Sequence, residues 1–136
     1  MAEIKVGVLS CSGEEFLGGT IARLATRKVM EQLQPGKVVT LCLPLYIAGG
    51  DEERAFAKKY PVIAIEGCDK ACVRRSTVKY SGDVADSVVI SDIVGDAALS
   101  DVVSTRDLTP EHYRMIDALA QAISDRVDAV LAARES

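Results

Sequence analysis

The sequence predicts an α/β fold, a three-layer αβα sandwich with a mainly parallel sheet of four or five strands, flavodoxin/Rossmann-like in outline. Two observations carry that prediction. Apolar runs of strand length alternate with segments whose apolar residues recur at helical spacing. The runs are also almost continuously apolar, as expected of parallel strands covered on both faces. With 136 residues, of which 49% are hydrophobic and only six aromatic, the chain suits one domain over 1–136 with an ordinary core.

The first run, Ile4 to Ser10, reads as a buried strand ending at Cys11-Ser12-Gly13. Ser12 followed by Glu15 matches a capping box, and Leu17, Ile21, Leu24, Ala25 and Val29 form an apolar stripe, so a helix is expected from about Glu14 to Leu33. Pro35-Gly36 closes it, and Lys37 to Leu43 supplies a second strand with Cys42 near its end. Pro44 to Gly50 reads as a loop, and Asp51 caps a shorter helix to about Tyr60. Val62 to Ile65 is the third strand and Glu66-Gly67-Cys68 its end, with helical composition from Asp69 to Tyr80.

Ser87 to Val94 reads as a fourth strand, and a short fifth is placed near Val102-Val103 in the irregular stretch before Leu108. Thr109-Pro110-Glu111 starts the last helix, with a capping side chain and proline at the first helical position. Its stripe of Ile116, Leu119, Ile123, Val127, Val130 and Leu131 belongs on a sheet. His112 is read as a surface residue.

Charge narrows the function. A net charge of −4 lacks the basic footprint of a nucleic-acid binder. No apolar run approaches the roughly 20 residues that span a bilayer, and charge in Met1 to Lys5 is unlike a signal peptide, so a cytoplasmic location is expected. In that reducing compartment four cysteines point to metal binding or thiol chemistry rather than disulfides.

Right-handed crossovers place every strand-to-helix loop at the carboxyl edge of the sheet, where such folds bind ligands. Cys11 follows strand one, Cys42 ends strand two, and Cys68 and Cys72 follow strand three, so all four thiols are assigned to one edge. The competing account is that each packs as a small buried hydrophobe. Three residues separate Cys68 from Cys72, within the range of paired zinc ligands, and helical spacing would let the two lean onto one ion. Gly67 is expected to permit the tight turn before them. Four thiolates around a divalent cation carry excess negative charge, which Lys70, Arg74, Arg75 and the nearby helix N-termini could offset. Asp69 and Lys70 are candidates for the outer surroundings of the ion.

These residues resemble the DGC-domain family, named for an Asp-Gly-Cys motif. The match runs from Leu9-Ser10-Cys11-Ser12-Gly13 through Arg23 to Val29 and Leu41-Cys42-Leu43-Pro44 to Gly67-Cys68-Asp69-Lys70-Ala71-Cys72, roughly the first 95 residues. The resemblance implies that Cys11, Cys42, Cys68 and Cys72 bind metal, with zinc the expected ion. Glu66 stands where the family name has Asp, which keeps the carboxylate but lengthens its reach.

Other chemistries use the same residues. An iron–sulfur cluster would take the same four thiolates. Cys68 and Arg74 have the spacing of a phosphatase-like loop, in which a thiol attacks a phosphate clamped by arginine. That loop would contain Asp69 and no glycine. Ser10-Cys11-Ser12-Gly13 would suit a flavin or nucleotide, with Tyr46 available to stack, although Glu14 and Glu15 oppose an anion there. No pair of histidines and no recognised metalloenzyme general-base motif is present, which favours binding over catalysis and leaves any enzyme activity, and any protein partner, undefined.

Overall fold

The computed structural model describes residues 5–13, 16–96 and 107–135. Four parallel strands form one sheet in the order β2-β1-β3-β4, with β1 at Val6–Ser10, β2 at Val38–Val39, β3 at Val62–Glu66 and β4 at Asp86–Val89. The expected fifth strand near Val102-Val103 lies outside the described residues. Helices cover both faces, as the α/β sandwich requires.

Alternation along the central strands creates two cores. Val6 and Val8 of β1 and Ile63 and Ile65 of β3 face α1 (Leu17–Lys28) and α7 (Pro110–Glu135), where Ile21, Ala25, Leu119 and Ile123 meet them. Leu9, Val62 and Ala64 point the other way, beneath Tyr46 of α2 (Leu45–Ala48), Phe56 of α4 (Phe56–Lys59) and Val73 of α5 (Cys72–Tyr80). Each fully buried leucine or isoleucine contributes about 1.5–3 kcal/mol. Burial raises the Tyr46 phenol above its ordinary value, with the Thr77 hydroxyl opposing part of the shift.

The last helix is tied down by polar contacts as well. Lys28 of α1 pairs with Asp117, Arg126 bonds Asp86 of β4 at 2.8 Å, and the buried Gln34 amide donates to Ser124 Oγ at 2.9 Å and Asp128 at 3.0 Å. Thr109 caps α7 as expected: its hydroxyl accepts the His112 N–H at 3.2 Å, and His112 Nδ1 accepts the Thr109 N–H at 3.0 Å. His112, a partly exposed residue at the helix start, is therefore half of a reciprocal cap.

Several boundaries differ from the sequence expectation. α1 begins after Phe16, so Ser12 is not its cap, and Glu14 and Glu15 lie outside the described residues. Its last turn widens into a π-helical turn, Val29–Leu33, in which the Gln34 N–H reaches back to the Val29 carbonyl. β2 keeps only two of the seven expected residues, because the Thr40 hydroxyl bonds the Val8 carbonyl and the chain then leaves the sheet. The Pro44 to Gly50 loop contains α2, and the helix expected to Tyr60 divides into α3 (Asp51–Arg54) and α4. There Gly50, not Asp51, is the cap residue, and its N–H donates to the Glu53 carboxylate at 2.8 Å. The fourth strand stops at Val89, and Ser91–Val94 forms the short helix α6.

Gly7 lies under the Phe56 ring, where an added Cβ would stand 2.5 Å from Cε1. Gly7→Ala should therefore lower stability by about 1–3 kcal/mol, and Phe56→Leu in the same chain should recover part of that loss. Urea unfolding measures both effects, and an unchanged midpoint for Gly7→Ala would contradict the close approach.

Candidate metal centre

The order β2-β1-β3 makes the crevice between β1 and β3 the topological switch point, the position where open parallel sheets bind ligands. Cys11 leaves β1 at that crevice, its N–H donating to the Ile65 carbonyl of β3 at 3.0 Å. Cys68 leaves β3 on the opposite side, two residues beyond Glu66, and Cys72 opens α5. Cys42 lies three residues beyond the shortened β2 rather than near its end. All four cysteines thus stand on segments leaving three neighbouring parallel strands at their carboxyl ends. None is buried: Cys42 and Cys72 are exposed, and Cys11 and Cys68 are half-buried. Core packing accounts in part for Cys11, which lies against the core beneath α1, but not for the exposed Cys42 and Cys72.

The β1–α1 loop is held by backbone contacts. The Gly13 N–H donates to Cys11 Sγ at 3.4 Å, fixing the sulfur against its own turn. Arg23 reaches back from α1 to donate through Nη1 to the carbonyls of Gly13 at 2.6 Å and Cys11 at 3.2 Å, and through Nη2 to Thr20 Oγ1 at 3.3 Å. The sequence reading took Arg23 only as part of a matching segment. Its signal was a charge on the flank of an otherwise apolar helix face, close to buried Ala22 and Thr26.

Glu66 organises the other loop. It is only 2% exposed, and its carboxylate accepts the N–H groups of Val73 at 2.9 Å and Arg74 at 2.8 Å. Those amides are unsatisfied at the start of a helix, and no local side chain caps α5. A carboxylate from the end of β3 therefore replaces the usual cap, while complementing the positive end of the helix. The role left open for residue 66 is resolved in this way: it joins sheet to helix and positions Cys72. Glu66 also occupies two of the amides that a phosphatase-like loop around Cys68 and Arg74 would offer to phosphate.

Gly67 has a different reason from the one expected. Its φ is not among the positive values, which occur in glycine only at Gly36 and Gly95 among the described residues. What matters is space, since a Cβ there would lie 3.0 Å from Cys11 Sγ and 3.0 Å from the Gly19 N. Gly67 lets the two central cysteine loops touch. The left-handed residue in this loop is Ala71, at φ 55° and ψ 43°, a conformation costing an L-residue about 1–2 kcal/mol. Because Ala71 breaks the helix, Cys68 and Cys72 straddle a turn and do not share a helical face.

Sulfur donors on adjacent loops match a thiophilic ion in chemistry. Their grouping is looser than a coordination sphere: among the described residues no three Cys, His, Asp or Glu side chains stand together closely enough to hold an ion. Asp69, Lys70, Arg74 and Arg75 are exposed, with no ion pair among the described residues. Tyr46 is fully buried, so it cannot stack on a flavin. No helix among the described residues is long and apolar enough to cross a membrane.

Glu66→Gln should cost about 1–3 kcal/mol, because an amide leaves one buried N–H facing another donor. Amide hydrogen exchange should accelerate at Val73 and Arg74 before the sheet is affected. Unchanged protection at both would contradict the capping role.

No curated protein and no solved structure matches the chain. The family model of the DGC domain matches residues 7–126, extending past the segment of resemblance into α7. With the four cysteines, Glu66 and Gly67 all inside that span, the chain belongs to the DGC-domain family.

Proposed function

We propose that this domain binds a zinc ion through Cys11, Cys42, Cys68 and Cys72, in a structural, storage, carrier or sensing role within the reducing cytoplasm. The observation that supports it best is the placement of four accessible thiols on segments leaving three neighbouring strands at one sheet edge. A structural zinc site takes four such ligands at about 2.3 Å, with sulfurs roughly 3.8 Å apart. For all four to share one ion, the exposed Cys42 and Cys72 side chains must swing toward the half-buried pair. The Gly13 N–H on Cys11 complements a negatively charged ligand, and the Arg23 guanidinium beside the same loop offsets part of the charge of four thiolates. Iron–sulfur binding uses the same donors and is separated by colour and sulfide content.

Metal analysis of the full chain, purified without added metal, should find near-stoichiometric zinc, lost or strongly reduced in each single Cys→Ser variant. Zinc retained undiminished in all four variants would overturn the assignment. Ligand thiols must lose their protons, so affinity should fall as pH drops. Chelation should also lower the melting temperature, since ligand at 100 times its Kd adds about 2.7 kcal/mol.

A further inference from the structure

Beside the thiol edge, on the β2 side of β1, α1 and the chain after β2 line a cleft of about 350 Å³. That volume lies at the lower end of small-ligand sites. Two guanidiniums from one helix line it, Arg23 and Arg27, four residues apart and therefore on the same face. Ser10 and Ser12 contribute hydroxyls, while Met30, Leu41 and Leu43 add apolar surface.

The charges in this cleft are incompletely used. Arg23 has its Nη1 committed to carbonyls and its Nη2 bonded to Thr20 Oγ1, which fixes the guanidinium without neutralising it, and it forms no ion pair among the described residues. Arg27 is two-thirds exposed, and its one side-chain bond among the described residues is to Glu31, at 2.5 Å. An exposed pair of that kind is weak and easily exchanged for a better anion. A chain of net charge −4 thus gathers two arginines, two serines and an apolar wall in one concavity.

We infer that this cleft binds a small organic oxoanion, its phosphate or carboxylate head between Arg23 and Arg27 and its apolar body against Met30, Leu41 and Leu43. Planar guanidiniums in pairs suit such heads because each can donate two parallel hydrogen bonds. The site does not depend on the metal reading. Cys42 is among the residues that line it, but the anion is held by arginine and not by the ion.

Calorimetric titration of the full chain with inorganic phosphate, phenyl phosphate and phenylacetate tests this. Saturable binding is expected, with phenyl phosphate tighter than inorganic phosphate, and its comparison with phenylacetate identifies the preferred head. Arg27→Gln should weaken the better ligand about tenfold, the scale of one charge-assisted hydrogen bond. Glu31→Gln, which frees Arg27, should tighten it on the order of threefold. These opposite shifts at two exposed positions do not depend on a fragile variant. The Cys68→Ser/Cys72→Ser double variant should still bind the anion. No saturable binding, unchanged affinity in both Arg27→Gln and Glu31→Gln, or binding lost with the cysteines but kept in Arg27→Gln would each overturn the inference, the last by placing the anion on the metal.

Discussion

The candidate centre depends on a junction of two residues, Glu66 and Gly67, where the sheet ends and the loops begin. The buried carboxylate fastens the first turn of α5 to β3, while the missing side chain beside it lets the loop from β1 lie against the loop from β3. One residue supplies a strong charge-assisted contact and the next supplies room. Without the first, Cys72 would sit on a helix end with no cap; without the second, Cys11 and Cys68 would be held apart.

That junction also separates the two kinds of anion chemistry that a parallel α/β sheet can offer. Helix N-termini at the carboxyl edge ordinarily present free amides to phosphate. Here α5 spends two of them on Glu66, which disfavours phosphate at Cys68. Positive charge is found instead on the flank of α1, where Arg23 braces the Cys11 loop and Arg27 lines the neighbouring cleft. In the two proposals the thiols take the cation and the arginines the anion, with Cys42 standing where the two regions meet.

Much of the frame was legible in the sequence because it follows from local pattern. Val62 to Ile65 reads as a strand without help from its neighbours, and Thr109-Pro110 announces α7 through capping chemistry. The errors came where tertiary contacts override propensity. β2 looks long because Val38 to Leu43 is apolar, yet only β1 is available to pair with it, and the pairing ends at Val39. α5 looks longer because Asp69 to Ala71 has helical composition, but Ala71 adopts a left-handed conformation under the constraint of the loop. The capping role of Glu66 is not legible from spacing, because its partners are amides seven and eight residues away. A lone carboxylate ending an otherwise apolar strand is the one sequence signal of such a role, since a buried carboxylate needs donors. The thiol edge was legible as a placement; how closely the sulfurs approach depends on side-chain rotation, which spacing does not encode.

The central claim is that four sulfur atoms from three loops share one ion. X-ray absorption at the zinc edge on the loaded full-length protein tests it most directly, because it counts and identifies the atoms bound to the metal. The account predicts a shell of four sulfurs at about 2.3 Å. A shell dominated by nitrogen or oxygen at about 2.0–2.1 Å would contradict it.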